Sequence, residues 1–113
     1  MRYNTNCCKL LSLHRDKDVV VYKMAAYPYA SLKFHSDWNW IMEVIEAIEK
    51  LDNFYFQIEE SACYVYDISK FTDEQCNPLI SCDLGFNSKK EAVVQAIDKF
   101  LEWYFNNQQN ITK

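Results

Sequence analysis

Between Phe34 and Leu51 the apolar residues Trp38, Ile41, Ile45 and Ile48 recur at three- and four-residue steps, flanked by Trp40, Met42, Val44 and Leu51. Asn39, Glu43, Glu46 and Lys50 fall opposite, so the spacing predicts a helix with one buried stripe. Ser36 is its expected N-cap, the hydroxyl accepting from an unpaired backbone N–H, and Asp37 adds negative charge at the positive end of the helix dipole. Asp52-Asn53 is the expected stop, because Asn tolerates the left-handed conformation that follows a helix. A second helix is expected to start at Ser88-Lys89-Lys90-Glu91, a capping box in which Ser88 and Glu91 satisfy each other's backbone donors. Val93, Ile97, Phe100, Leu101 and Tyr104 line one face of it, and Glu91, Gln95, Asp98 and Glu102 the other.

Elsewhere the period shortens to two. Phe54, Phe56 and Ile58 alternate with Tyr55 and Gln57, as a half-buried strand requires. Glu59-Glu60-Ser61 turns the chain into a second strand over Ala62–Ile68, which makes a hairpin. After the polar run Ser69–Pro78, read as a loop, Ile80, Cys82 and Leu84 alternate with Ser81 and Asp83 as a third strand. Val19–Met24 is β-branched and aromatic, hence a strand, and Ala25–Ser31 with Pro28 interrupts it before the first helix. Residues 1–18 show no period and are read as a short strand or an arm. The order is β-α-β-β-β-α: an α+β fold with an antiparallel three- to four-stranded sheet and two helices packed on one face. One domain spans 1–106, and the polar tail 107–113 is expected to fray.

A chain of 113 residues with 50% hydrophobic and 16% aromatic positions can build a single core. Its 12 basic and 16 acidic residues leave a net charge of -4, which lacks the positive excess that drives binding to phosphate backbones. The N-terminus has no charged-then-apolar signal pattern and no apolar run is long enough to span a bilayer, so a cytoplasmic location with no membrane partner is expected. Five cysteines, Cys7, Cys8, Cys63, Cys76 and Cys82, form an odd set unlike a disulfide framework, which fits a reducing compartment. The sequon Asn110-Ile111-Thr112 is read as chance.

Candidate chemistry is sparse. Gly85 is the only glycine, which excludes the usual phosphate-cradling loops, and it is expected to turn the chain before the second helix. His35-Ser36-Asp37 has the residue types of a hydrolytic triad, but triads are assembled from distant segments and a cap beside a histidine explains the same residues. Cys7, Cys8 and His14 with Cys76 or Cys82 lack any Cys-x-x-Cys pair, so no metal is expected. Cys63 and Cys82 lie in apolar strand patterns that bury a thiol and keep it protonated. No catalytic residue and no cofactor are expected. Tyr55, Tyr64 and Tyr66 are the candidates for partner binding. If Phe54, Phe56, Ile58, Cys63 and Val65 face the helices, the tyrosines share the face left open, an aromatic surface for a second copy of the chain, another protein or unstacked bases.

Phe34–Leu51 and Lys90–Tyr104 together resemble a group of small phage- and prophage-type proteins of unknown function. Their pattern is an aromatic-His-x-x-Trp-x-Trp-Ile-Met helix followed by a closing helix that ends in Trp-Tyr. The likeness covers both helices, about a third of the chain, and implies no activity. The order helix, three strands, helix also resembles a double-stranded RNA-binding domain, in which positions matching Lys89 and Lys90 would touch phosphates. The corresponding hairpin, Glu59-Glu60-Ser61, is acidic and lacks the Gly-Pro-x-His element of that family. The expected function is therefore a non-enzymatic protein-interaction module of phage or mobile-element type. Nucleic-acid binding through Lys89 and Lys90 is the alternative, and a small hydrolase the third reading.

Overall fold

Among the described residues, three α-helices and two antiparallel three-stranded sheets close on a common core. In chain order they are α1 (Arg2–Leu10), β1 (Arg15–Asp16), β2 (Val19–Tyr22), β3 (Ala25–Pro28), α2 (Trp38–Glu49), β4 (Phe54–Ile58), β5 (Cys63–Asp67), β6 (Ile80–Cys82) and α3 (Lys89–Ile111). The structure is a computed structural model that describes residues 2–72, 74, 76–83 and 88–111, the last four as backbone alone. The class is α+β, as the patterning predicts. Expected roles at Leu84, Gly85 and Thr112 lie outside the described residues.

The sheet β4-β5-β6 is built as the two-residue period requires. Phe54, Phe56, Cys63, Val65 and Cys82 are buried, while Tyr55, Gln57, Tyr64 and Tyr66 lie on the other face. Against the buried face α2 sets Ile41, Val44, Ile45 and Ile48, and α3 sets Val93, Ile97, Phe100 and Leu101. Burying each such side chain contributes roughly 1.5–3 kcal/mol. Phe54 meets the Phe100 ring edge-on at 4.9 Å, in the geometry favoured by aromatic quadrupoles.

The starts of α2 and α3 use side-chain caps. Asp37, not the expected Ser36, caps α2: its backbone is extended and its Oδ1 accepts the Asn39 N–H at 2.8 Å. The reason is the preceding turn, in which the Ser36 and Asp37 amides both donate to the Lys33 carbonyl, so the chain leaves the turn only at Asp37. The buried stripe of α2 is also rotated from the expected one, with Trp40 buried and Trp38 half-exposed. At α3 the Glu91 N–H donates to Ser88 Oγ at 3.1 Å, the first half of the expected capping box.

The first third of the chain departs most from expectation. Residues 2–10 form a helix, not a strand or arm, and Ala25–Pro28 does not merely interrupt a strand but returns as β3 beside β2. The protein therefore has an additional sheet, β1-β2-β3, first in chain order, and a third helix. On α1 the half-buried Tyr3 and Leu10 and the buried Cys7 sit at helical spacing, yet Asn4 and Asn6 are buried beside them, so the polarity of the segment hides its period. The Tyr3 hydroxyl donates to the Phe34 carbonyl at 2.7 Å and fixes α1 to the chain ahead of α2. Ser12 ends the helix in the left-handed region at φ 57°, with Leu13 N–H on Cys8 O and Ser12 N–H on Lys9 O, a Schellman arrangement. Lys23 and Met24 join β2 to β3 with φ 52° and 67°, the handedness that matches strand twist, although neither is Gly or Asn. Lys23 Nζ reaches Glu43 Oε1 of α2 at 2.6 Å. Beneath the turn, Tyr22, Tyr27, Phe34 and Trp40 form a cluster with ring centroids 4.7–5.7 Å apart.

Candidate functional site

Strand register decides where the tyrosines go. Tyr55 pairs directly with Tyr66, and Gln57 pairs with Tyr64, which in turn pairs with Ser81. Residues opposed in an antiparallel pair share a face, so all of these project away from the helices. Tyr55 is 51% exposed, and Tyr64 and Tyr66 are half-buried. The structure brings the three sequence-predicted tyrosines onto one surface and divides them into two neighbourhoods.

Tyr55 and Tyr66 form the floor of a cleft of about 310 Å³ together with Gln57. Its rim comes from the segment after β5: Asp67 accepts the Ser69 N–H, starting a short 3-10 turn, Ile68–Lys70, which carries Ile68 and then Phe71 over the sheet. The Phe71 and Tyr66 rings meet edge-on at 5.6 Å, and the Ile68 N–H on Asn53 O ties the turn to the start of β4. Cys76 completes the lining. Ile68, Phe71 and Cys76 were not among the sequence candidates for partner binding. The signal for two of them was present: Ile68 borders the polar run Ser69–Pro78, and Phe71 is the bulky apolar residue within it.

Tyr64 stands apart, donating its hydroxyl toward Asp83 Oδ2 at 3.5 Å. Desolvation and the Asp83 carboxylate raise its phenol above the ordinary range.

On the outer edge of β4 one backbone donor is already engaged. Glu49 Oε2 accepts the Phe56 N–H at 3.1 Å, removing a donor that an added strand would use.

The alternative sites hold other positions. Lys90 Nζ donates to the Ser36 carbonyl at 2.8 Å and lies 5.8 Å from the Trp38 ring, so its charge is committed at the α2–α3 junction while Lys89 is exposed. Arg15 stacks over Tyr29 and Lys9 over Phe105, each engaged with its own local partner. Around the hydrolase candidate, Asp37 caps α2, Ser36 turns its carbonyl to Lys90, and His35 is exposed beside them. Among the described residues no group of three or more His, Cys, Asp or Glu side chains could hold a metal ion, and no helix is long and apolar enough to cross a membrane. No family model, curated protein or solved structure matches the chain.

Proposed function

We propose that this chain is a non-enzymatic protein-interaction module of phage or mobile-element type. Its contact surface is the helix-free face of β4-β5-β6, and a protein partner seats an apolar side chain in the cleft floored by Tyr55 and Tyr66. The observation that carries the reading is that cleft: an apolar concavity of about 310 Å³, beside a third tyrosine, on a sheet with one outward donor of β4 already taken. Tyrosine supplies large contact area with little rotamer entropy to lose, and apolar pockets ringed by polar groups are where binding energy concentrates. A net charge of -4 and the engagement of Lys90 support a protein partner over nucleic acid.

The test is a double substitution, Tyr55→Ser with Phe71→Ser, which strips floor and rim while leaving the core face intact. Capture from a host lysate and sedimentation velocity over a concentration series would compare it with the wild type, for a foreign partner and a second copy respectively. Loss of about 2 kcal/mol, near a thirtyfold weakening, is expected for a hot-spot pair. A variant with unchanged circular dichroism and unchanged capture and self-association would remove the cleft from any binding role.

A further inference from the structure

Cys63 and Cys82 stand directly opposite each other where β5 pairs antiparallel with β6. Opposed residues in such a pair point to the same side, with Cα atoms roughly 4.5–5.5 Å apart. A disulfide requires Cα atoms roughly 4.4–6.8 Å apart, so either kind of antiparallel position meets that condition. Both thiols are free and face the core, 0% and 2% exposed. We infer that Cys63 and Cys82 form a dithiol–disulfide site, a reversible cross-strand bond made by exchange with a low-molecular-weight disulfide.

The exchange balances without further reactants. The Cys82 thiolate attacks one sulfur of the small disulfide, an S–S bond forms to the protein, and the first small thiolate leaves and takes up a proton. Cys63 then loses its proton and attacks the Cys82 sulfur, forming the Cys63–Cys82 bond and expelling the second small thiol. Two thiols are oxidised by two electrons and one small disulfide is reduced to two thiols. Burial keeps both protein thiols protonated, with Cys63 pushed up to about 12, while the Lys99 ammonium within hydrogen-bond reach of Cys82 works against burial there. That asymmetry makes Cys82 the attacking sulfur. Access comes from β6 itself, a three-residue strand at the sheet edge whose opening exposes both sulfurs together.

The bond would join the two ends of the segment that carries Ile68, Phe71 and Cys76, holding β6 against β5. It does not depend on whether the cleft binds a partner, because it is read by thiol chemistry alone.

The probe is glutathione. Full-length chain carrying Cys76→Ser, which removes the exposed thiol, is brought to equilibrium in glutathione buffers from both the reduced and the oxidised side. It is then acid-quenched, alkylated and mapped by mass spectrometry. Cys63–Cys82 is expected to be the dominant disulfide, with an effective concentration at least tenfold higher in the folded chain than in the same chain in urea. Equal or weaker pairing in the folded chain, glutathione accumulating on Cys63 or Cys82 in place of the bond, or dominance of another pairing would each overturn the site. Lys99→Met is expected to slow bond formation severalfold and leave the equilibrium unmoved. An unchanged rate overturns the assignment of Cys82 as the attacking sulfur.

Discussion

In the sheet of β1, β2 and β3 the residues turned away from the core are Val19, Val21, Ala26 and Pro28, whereas in β4, β5 and β6 they are Tyr55, Gln57, Tyr64, Tyr66 and Ser81. Both outward faces are exposed: Val21 is 58% accessible and Tyr55 51%. The first is a small aliphatic patch formed by cross-strand pairs. The second has an overhanging rim, Ile68 and Phe71, that makes a concavity, and phenols that can satisfy water or a partner equally well. Scattered surface valines are ordinary in soluble proteins, so exposure alone does not mark a site; concavity with polar tips does.

The largest effect should separate the two faces of one strand. Phe54→Ala empties the contact with Phe100, Trp103 and Tyr104 and is expected to lower stability by about 3–5 kcal/mol. Its neighbour Tyr55→Ser should cost under about 1 kcal/mol, as a surface change does, and show itself in binding instead. Urea unfolding of the two variants checks the contrast, and comparable losses at both positions would mean that the outward face is structural.

Next comes alkaline pH. Each sheet buries a proton: the Cys63 thiol of β5, raised to about 12, and the Tyr22 phenol of β2, raised chiefly by desolvation. A folded-state pKa above the unfolded one means that the native chain binds the extra proton. The stability from Cys63 is therefore fully present below about 9 and is lost as pH climbs toward 12. Each such group contributes a slope of at most about 1.4 kcal/mol per pH unit. Cys63→Ala should flatten the fall that begins near the ordinary thiol pKa, and Tyr22→Phe only the part at still higher pH. Thermal melts across the alkaline range measure both.

Tyr22→Phe also tests the first sheet at neutral pH. The Tyr22 hydroxyl is buried with no hydrogen-bond partner among the described residues, so deleting it should raise stability by roughly 1 kcal/mol, the cost of an unsatisfied buried donor. Tyr64→Phe in the second sheet removes a hydroxyl that already has Asp83 and solvent, and should change little. A loss at Tyr22 would show that its hydroxyl is satisfied in solution.

These contrasts follow the line between what the sequence disclosed and what it hid. Alternation in 54–58 and 63–67 exposed the second sheet because the inward positions Phe54, Phe56, Ile58, Cys63 and Val65 are apolar, and the face of the tyrosines followed from the same period. The cap of α3 was legible because Ser88 and Glu91 carry the chemistry that an N-terminus needs. The hairpin β2–β3 was hidden because its turn is Lys-Met, whose left-handed φ values go with the β2–β3 pairing and the Lys23–Glu43 ion pair, not with turn-forming residues. Helix α1 was hidden because it buries Asn4 and Asn6, which binary patterning reads as surface. The cleft was half legible: its floor is a strand pattern, while its rim depends on a 3-10 turn set by one aspartate.

The smallest effect opposes the two hairpin turns directly. Met24 is wholly exposed at φ 67°, so Met24→Gly loses no packing and relieves a conformation that a Cβ makes unfavourable. Greater freedom of glycine in the unfolded chain offsets part of that relief, and a net gain of roughly 0.5–1 kcal/mol is expected. Lys23→Gly relieves similar backbone strain but breaks the 2.6 Å contact with Glu43, an exposed pair screened by solvent, so its gain should be smaller. In the second sheet the turn closes with Glu59 N–H on Ala62 O, and Glu60 is not among the residues at positive φ. Glu60→Gly therefore has only the unfolded-state term and should lower stability by roughly 0.5–1 kcal/mol. Opposite signs at Met24 and Glu60 in urea midpoints would establish that the first hairpin is strained where the second is relaxed. The same sign at both would show that the Lys-Met turn does not hold its left-handed geometry in solution, and with it would go the register that places Val20 and Tyr22 in the core.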